Sequence, residues 1–468
     1  MDFDEIKHRF EAEGQGHIFS DWDTLTQEER ETLWQDALQV DFAWLAARKK
    51  ELTSPNPTFT IDMTTMRPAP VAELPKTPQD IASRKRARKA GEEAIRAGKL
   101  AAFLVAGGQG TRLGYDAPKG CYPIGPVTDK PLFAWHAEKI LAASKKYGTT
   151  IPWYIMTSRA NNADTQSFFD THAYFGFNPT DIIFFTQAEV PSITPEGLLL
   201  RSSRGRLALG SDGHGGSLSA LVKSGAIGHM QGRGIQTISY FQVDNPLVNI
   251  CDPEFLGLHL RGRAEISSKV LQKRNPKEKV GHIVQLPDGR LACVEYIDLP
   301  DDLAEQRDDE GRLRFWAGSI AIHMIEVEFV ERIGGQAALP WHVARKKIPF
   351  YDGEKVVKPE SINGVKFETF VFDSLPLAER AVTVETQREE EFAPVKNAEG
   401  EDSPESCRRM LSSRFTRWLE EIGAAVPKNA ESNPTAMIEI SPLYASDAEE
   451  LKHKFSKKTK IERYIVLG

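Results

Sequence analysis

Short apolar runs alternate with amphipathic stretches through the middle of the chain. The apolar runs lie at residues 100–106, 151–157, 182–185 and 235–243, and helical spacing occurs at 131–146, 163–169 and 253–260. This order of strands and crossover helices predicts an α/β domain with a mainly parallel sheet. In such sheets ligands bind beyond the carboxyl ends of the strands. We therefore expect the functional residues to follow the apolar runs.

The pattern changes on both sides of this core. Spaced apolar positions predict helices in residues 1–50, whereas the frequent prolines of residues 52–78 predict an extended connector. Apolar runs at 280–285 and 291–296, separated by a Pro-Asp-Gly turn, predict antiparallel additions beside the core, and a helix is expected at 405–421. The expected divisions are a helical N-terminal region with its connector (1–98), a main domain (99–400) and a small C-terminal domain (401–468).

Composition and charge exclude several classes of protein. The formal net charge of -7 argues against nucleic-acid binding, and no segment approaches the roughly 20 apolar residues of a membrane helix. The acidic start lacks the pattern of a secretory signal, so a cytoplasmic location is expected. The four cysteines are scattered and are interpreted as reduced thiols.

The basic run at 84–89 is interpreted as a solvated helix face, with a protein contact or weak anion site as the alternative.

A glycine-rich segment follows the first apolar run. Residues 107–114 read Gly-Gly-Gln-Gly-Thr-Arg-Leu-Gly, and Lys119 lies shortly after them. The dinucleotide fingerprint requires glycine where Leu113 stands, and the Walker A ending Gly-Lys-Ser/Thr is absent. Glycines bring backbone N–H groups against phosphate oxygens, and Arg112 with Lys119 adds two cations. The segment therefore predicts a polyphosphate site, with a tight strand-to-helix connection as the structural alternative.

Ten segments in order resemble the UDP-N-acetylhexosamine pyrophosphorylases and, more broadly, the eukaryotic-type UDP-sugar pyrophosphorylases. They are LVAGGQGTRLGYDAPKG (104–120), FFTQ (184–187), DGHGG (212–216), FQVDNPLV (241–248), VGH with VEY (280–296), AGS (317–319), LPWHVARKKIPF (339–350), FVFD (370–373), REEEFAPVKNAEG (388–400) and EISPLYA (439–445). The resemblance covers roughly residues 98–446.

The resemblance implies a Rossmann-like nucleotidyltransferase core with a GT-A-like mixed sheet, a helical N-terminal region and a small β-rich C-terminal region. It also implies the reaction. UTP and an N-acetylhexosamine 1-phosphate, with N-acetylglucosamine as the main expectation, would give the UDP-sugar and pyrophosphate, with Mg²⁺ as cofactor. No nucleic-acid or membrane partner is expected, and the sequence indicates no oligomeric state.

Matching motif positions assign expected roles to individual residues. The nucleotide would be bound by Ala106, Gly107, Gly108, Gly110, Gln187 and Gly213. The sugar would be bound by His214, Gly281, Glu295, Tyr296, Ser319, Phe370 and Phe372.

The expected chemistry needs cations and no general base. The attacking sugar phosphate is already ionised at neutral pH, so catalysis depends on positioning and charge neutralisation. Arg112 and Lys119 would stabilise the departing pyrophosphate, and Lys396 would contact phosphate. Asp244 ends an apolar run and would hold Mg²⁺. The structural alternatives are a turn or cap for Asp244 and a solvated loop position for Lys396.

Two positions depart from the usual N-acetylglucosamine pattern. His214 stands where DGNGG has Asn, and Ser319 ends a motif usually written AGN. Glucose or a broad set of sugars is therefore kept as an alternative, and a non-catalytic UDP-sugar binding protein as one of another class. His214, His323 and His342 are assigned no catalytic role. The basic run at 345–347 is interpreted as solvated or structural, with phosphate contact as the alternative.

Overall fold

The computed structural model describes residues 2–53, 61–336, 338–431, 434–456 and 459–468. The chain forms two compact units. The first unit comprises Met1–Ile61, Gln187–Ser217 and Ala338–Val371, and the second comprises Asp62–Thr186, Leu218–Ala337 and Phe372–Gly468. These units differ from the divisions expected at residues 98 and 400, because distant segments of the chain pack together.

The helices are α1 (Phe3–Ala12), α2 (Gln27–Leu38), α3 (Phe42–Thr53), α4 (Pro78–Arg96), α5 (Leu132–Tyr147), α6 (Asn162–Thr171), α7 (Gly216–Lys223), α8 (Ala226–Gly232), α9 (Pro253–Gly262), α10 (Asp301–Ala304), α11 (Val327–Gly335), α12 (Arg388–Glu391), α13 (Pro404–Glu421) and α14 (Ala448–Lys454).

The strands are β1 (Arg67–Pro68), β2 (Val71–Ala72), β3 (Leu100–Val105), β4 (Trp153–Thr157), β5 (Ile182–Thr186), β6 (Glu189–Pro191), β7 (Arg201–Ser203), β8 (Arg206–Leu207), β9 (Leu209–Ser211), β10 (Thr237–Gln242), β11 (Ile266–Gln272), β12 (His282–Gln285), β13 (Leu291–Val294), β14 (Ala317–Glu326), β15 (His342–Lys346), β16 (Phe350–Tyr351), β17 (Val356–Val357), β18 (Gly364–Glu368), β19 (Ala381–Glu385), β20 (Met437–Ile440) and β21 (Tyr464–Leu467).

The second unit is built on an eleven-stranded sheet whose main path is β2-β19-β11-β14-β10-β3-β4-β5. Strands β10, β3, β4 and β5 are parallel, as the sequence predicts. Val105 lies opposite both Gln242 and Met156, so the loops after β10, β3 and β4 leave the same edge of the sheet. The expected α/β class with a mixed sheet is confirmed.

Strand β14 differs from the expectation of antiparallel additions beside the core. It runs antiparallel between β10 and β11, inside the sheet. Its ten residues are mostly buried, so its side chains contact core on both faces of the sheet. The expected hairpin does form beside it, because β12 pairs with β13 around a turn that contains Gly289.

The connector and the basic run are more closely integrated than expected. Residues 54–60 lie outside the described part of the chain, but β1 pairs with β12 and β2 with β19. Arg84 is 8% exposed and is therefore not part of a solvated face. Its guanidinium donates to the Glu254 carboxylate at 2.9 Å and to the carbonyls of Ala72 and Glu73 at 2.7 Å each. Arg84 thus ties α4 to strand β2 and to α9.

The expectation of a β-rich C-terminal region is wrong. Residues 404–421 form the 18-residue helix α13, whereas β20 and β21 are a single parallel pair of four-residue strands. Leu411, Phe415 and Leu419 recur at helical spacing and are buried in the same hydrophobic core as the central sheet. The C-terminal segment is therefore part of the second unit.

The first unit has its own core. Ile6, Phe10 and Leu33 from the N-terminal helices pack with Ile193 and Phe367 from the two later segments. The predicted N-terminal helices are confirmed as α1, α2 and α3. No helix in the described parts of either unit is long and apolar enough to cross a membrane.

Helices α4 and α9 approach closely through two glycines, which generates a prediction. A Cβ at Gly257 would lie 1.7 Å from the carbonyl oxygen of Ala87, and one at Gly91 would lie 1.9 Å from that of Pro253. Gly257→Ala should lower the free energy of unfolding by about 1–3 kcal/mol or more, because the helices must separate. Gly228→Ala in α8, where no heavy atom lies within 4 Å, is the control. Equal urea midpoints for the two variants would contradict this packing.

Candidate active site

The glycine-rich segment after β3 folds back on itself. The N–H of Gly110 donates to the carbonyl of Ala117 at 2.9 Å, and that of Lys119 to Gly108 at 3.1 Å. Gly110 has no room for a side chain, because a Cβ there would lie 2.7 Å from the carbonyl oxygen of Tyr115. The loop is therefore a closed hairpin-like turn, with Gly107 half-buried and Gly108 exposed at its start.

Asn161 supports this loop from beneath and was missed by sequence reasoning. It is fully buried in the turn after β4. Its Nδ2 donates to the carbonyls of Ala106 at 2.9 Å and Gly108 at 3.2 Å, and its Oδ1 accepts from the Ser158 N–H at 2.8 Å. The sequence does carry one signal for it, because Asn161 is a polar residue just beyond the carboxyl end of the buried strand β4, where functional residues are expected.

The structure brings Lys119 and Asp244 together. Asp244 lies just beyond β10, and its Oδ2 is 3.3 Å from the Lys119 ammonium. The two side chains are only 17% and 12% exposed, so water screens the pair incompletely. Arg112 is exposed on the same loop. In the part of the chain that the structure describes, no ion pair or hydrogen bond joins Arg112 to Asp244.

Lys396 is tied to the Asp244 segment through the backbone. The N–H of Val395 donates to the Asp244 carbonyl at 2.9 Å, and that of Lys396 to the Asp402 carbonyl at 2.7 Å. The Lys396 ammonium lies 5.6 Å from the centroid of the Phe392 ring. Burial raises the pKa of Asp402, the nearby Lys396 lowers it, and Asp244 raises it further. Asp402, which sequence reasoning missed, therefore lies near both predicted site residues.

The residues around Asp244 fit a magnesium ion held largely by its substrate. Over residues 2–53, 61–336, 338–431, 434–456 and 459–468, no group of three or more His, Cys, Asp or Glu side chains could hold a metal. Mg²⁺ is commonly bound by one or two carboxylates together with substrate phosphates and water. A single carboxylate beside a glycine-rich loop and a lysine matches that mode of binding.

In the first unit, the Asp-Gly-His-Gly-Gly segment is built against the end of β18. The Nε2 of Gln187 donates to Asp212 Oδ1 at 2.8 Å and to the Gly213 carbonyl at 2.5 Å. Gly213 has φ 86°, and a Cβ there would lie 2.2 Å from the carbonyl oxygen of Thr369. Glycine is therefore required at this position, and the structure brings Gln187 and Gly213 together as the motifs predict.

His214 is a neutral, positioned side chain. Its Nδ1 accepts the N–H of Val371 at 3.1 Å, so its proton lies on Nε2. Its ring stacks 5.2 Å from that of Phe370, which also lies 4.4 Å from the ring of His342. Burial lowers the pKa of His214 to about 4. His214 and Phe370, each expected to bind the sugar, are thus in contact with one another.

Three of the expected sugar-binding residues meet in the second unit. The N–H of Ser319 donates to the Gly281 carbonyl at 2.8 Å. A Cβ at Gly281 would lie 3.6 Å from Glu295 Oε1, which is an ordinary contact, and 2.6 Å from Cys293 Sγ, which is too close. A side chain at this position would therefore displace Cys293. Tyr296 is exposed and Phe372 is buried.

Residues 45–467 match the family model described as "UTP--glucose-1-phosphate uridylyltransferase". The chain belongs to this family. It is 36% identical to UDP-N-acetylhexosamine pyrophosphorylase-like protein 1 of Xenopus tropicalis, across 95% of this chain and 93% of that one. It is also 36% identical to UDP-N-acetylglucosamine diphosphorylase 2 of Arabidopsis thaliana, across 96% and 90%.

A solved structure of the family extends the likeness to the fold. The uridine diphosphate N-acetylglucosamine pyrophosphorylase of Trypanosoma brucei, in complex with an inhibitor, superimposes with a TM-score of 0.83 at 26% identity. The match covers 99% of this chain and 98% of that chain. The resemblance inferred from the ten sequence segments is therefore confirmed.

The buried imidazole of His214 generates a prediction about pH. Its pKa of about 4 in the folded protein is below the ordinary value near 6.5, so between these values the unfolded chain binds a proton that the folded chain does not. Stability must therefore fall as the pH falls through this window. His214→Asn, whose amide oxygen can accept the same N–H, should lose less stability between pH 6.5 and 4, by on the order of 1–3 kcal/mol.

The measurement is urea unfolding at several pH values in this window. The control is His453→Asn, because His453 is exposed and lies in α14. Its curve should run parallel to that of the wild type. Parallel curves for the wild type and His214→Asn would contradict the prediction.

Proposed function

We propose that the protein is a UTP-dependent sugar-1-phosphate uridylyltransferase that acts on N-acetylglucosamine 1-phosphate and releases UDP-N-acetylglucosamine and pyrophosphate. The observation that carries the proposal is the pairing, at 3.3 Å, of Lys119 from the glycine-rich loop after β3 with Asp244 from the loop after β10, at the carboxyl edge of the sheet. Relatives with 36% identity over nearly the whole chain are named for this class of activity.

The chain's own residues have two tasks in this reaction. The loop at 106–110 presents backbone N–H groups to the nucleotide phosphates, and Arg112 with Lys119 stabilises the negative charge of the departing pyrophosphate. Lys396 neutralises phosphate charge near the attacking oxygen. Because that oxygen is already ionised, no residue has to remove a proton. Mg²⁺ held by Asp244 and the phosphates would neutralise charge that develops on the phosphate oxygens.

Base recognition is assigned to Gln187 and Gly213. The Nε2 of Gln187 donates to Asp212 and to the Gly213 carbonyl, which fixes the orientation of the amide. We assign its Oε1 as the acceptor for the N3–H of uracil. We assign a second contact with the uracil edge to the backbone of Gly213. A base without a donor at N3 would leave a buried amide oxygen unpaired, which supports a preference for UTP.

The two departures from the usual motif are compatible with an N-acetylated sugar. Asn in the usual DGNGG motif can donate through its amide, and His214 retains a donor because its Nε2 carries the proton. Ser319 retains its backbone contact with Gly281. We assign sugar binding to these residues and to Glu295, Tyr296, Phe370 and Phe372.

A panel of sugar 1-phosphates tests the substrate. With UTP and Mg²⁺, N-acetylglucosamine 1-phosphate should give a kcat/KM at least about 10-fold above that of glucose 1-phosphate, because polar groups built for the acetamide would otherwise stay unpaired. Pyrophosphate release is the measurement. Preference for glucose 1-phosphate would favour the alternative substrate, and UDP-sugar binding without pyrophosphate release from any sugar would indicate a non-catalytic protein.

Lys396→Met tests the charge-neutralising role. Loss of one contact to developing charge should cost on the order of 3 kcal/mol, or about 100-fold in kcat, with a smaller change in the KM for UTP. Lys85→Met, at an exposed position of α4, is the matched control and should retain wild-type kinetics. An unchanged kcat in Lys396→Met would show that Lys396 does not neutralise charge in the reaction.

A further inference from the structure

Side chains of α5 and α13 bind the carbonyls of the segment that carries Asp244. We call residues 243–248 the aspartate loop. Every contact is a donor on one of these helices to a backbone oxygen of the loop. They are His136 Nε2 to Val243 at 3.0 Å, Lys139 Nζ to Pro246 and to Val248 at 2.7 Å, and Arg414 Nη1 to Leu247 at 3.1 Å.

Lys139 differs from the other buried cations nearby. The Lys269 ammonium is paired with the carboxylates of Asp252, at 2.6 Å, and Glu391, and Arg414 is paired with Glu390 at 3.1 Å. Within the described residues, Lys139 has no carboxylate at ion-pair distance, and its hydrogen bonds go to carbonyls of the aspartate loop. Burial lowers the pKa of Lys139 well below its ordinary value, and no carboxylate among the described residues pairs with it to offset that cost, so an ion pair does not account for a lysine at this position.

We propose that Lys139 is a positioning residue that fixes the direction of the Asp244 carboxylate toward the metal and the nucleotide phosphates. Pro246 and Val248 lie two and four residues beyond Asp244. Because Lys139 binds both of their carbonyls, it fixes the backbone turn from which the Asp244 side chain projects. Small displacements of a ligand-bearing loop cost large factors in rate. This inference rests on the proposed metal-binding role of Asp244.

A cavity beside Lys139 makes the role testable by chemical rescue. The cavity has a volume of about 340 Å³ and is lined by Lys139, Pro246 and Val248 among other residues. Its lining also includes Arg88 and Lys146, whose side chains are 44% and 30% exposed, so solvent reaches it. A small alkylammonium ion can therefore enter and replace the ammonium of a truncated Lys139.

The experiment measures metal affinity apart from activity. In Lys139→Ala with UTP bound, the Kd for Mn²⁺, read by electron paramagnetic resonance, should rise about 10-fold, in the range seen when a partner of a metal ligand is removed. Propylammonium should restore at least about a third of that loss, and tetramethylammonium at equal ionic strength should restore none. Lys139→Arg should lie between the wild type and Lys139→Ala. Lys145→Ala, exposed on the same helix, is the control and should match the wild type.

Three outcomes decide between the inference and its premise. A folded Lys139→Ala protein with unchanged Mn²⁺ affinity overturns the inference. If Lys139→Ala does not fold, Lys139→Met, which keeps the length of the stem, takes its place, and folding that depends on propylammonium would mean a structural role and also overturn it. Asp244→Asn is measured in parallel, and unchanged Mn²⁺ affinity in that variant would refute the metal assignment of the proposed function instead.

Discussion

The attraction between the Lys119 ammonium and the Asp244 carboxylate, 3.3 Å apart at the carboxyl edge of the sheet, is the interaction on which the rest of the site depends. The pair exists because β3 and β10 are parallel neighbours, so the loops that follow them leave the same edge. Both side chains are mostly buried, and each limits the cost of burying the other. In the proposed function, a polyphosphate with its cation would offer both charges new partners, which suits the binding and release of nucleotide.

The loops that carry these charges are held by buried polar side chains. Asn161 binds the carbonyls of Ala106 and Gly108 beneath the glycine-rich loop. Asn245 binds the carbonyl of Glu391 at 2.7 Å and the N–H of Ala393 at 3.1 Å, and so connects the aspartate loop to the segment before Lys396. Irregular backbone lacks the hydrogen bonds of helices and sheets, so a buried loop needs side-chain partners. These partners fix the geometry on which charge neutralisation depends.

The first unit shows how one motif depends on distant segments. Only glycine fits at positions 213 and 215, because the backbone of residues 369–370 packs directly against Gly213 and Gly215. The contact orders His214 against Phe370 and directs the amide of Gln187. The conformation of this five-residue motif therefore depends on backbone more than 150 residues later, as the hydrogen bond from the Val371 N–H to His214 shows across 157 positions.

The sequence by itself determined the parallel strands β3, β4, β5 and β10, the helices α5, α6 and α9, the family, and the candidate residues Lys119 and Asp244. Local periodicity and strand ends carry that information, because they depend on residues close together in the chain. Only the tertiary structure decided the central position of β14, the packing of the helical C-terminal segment in the main core, and the contacts of Asn161 and Lys139. Asn161 and Ala106 are 55 positions apart, and Lys139 and Val248 are 109 apart. Their partners are backbone carbonyls, which every residue possesses, so no side-chain pattern in the sequence can reveal them.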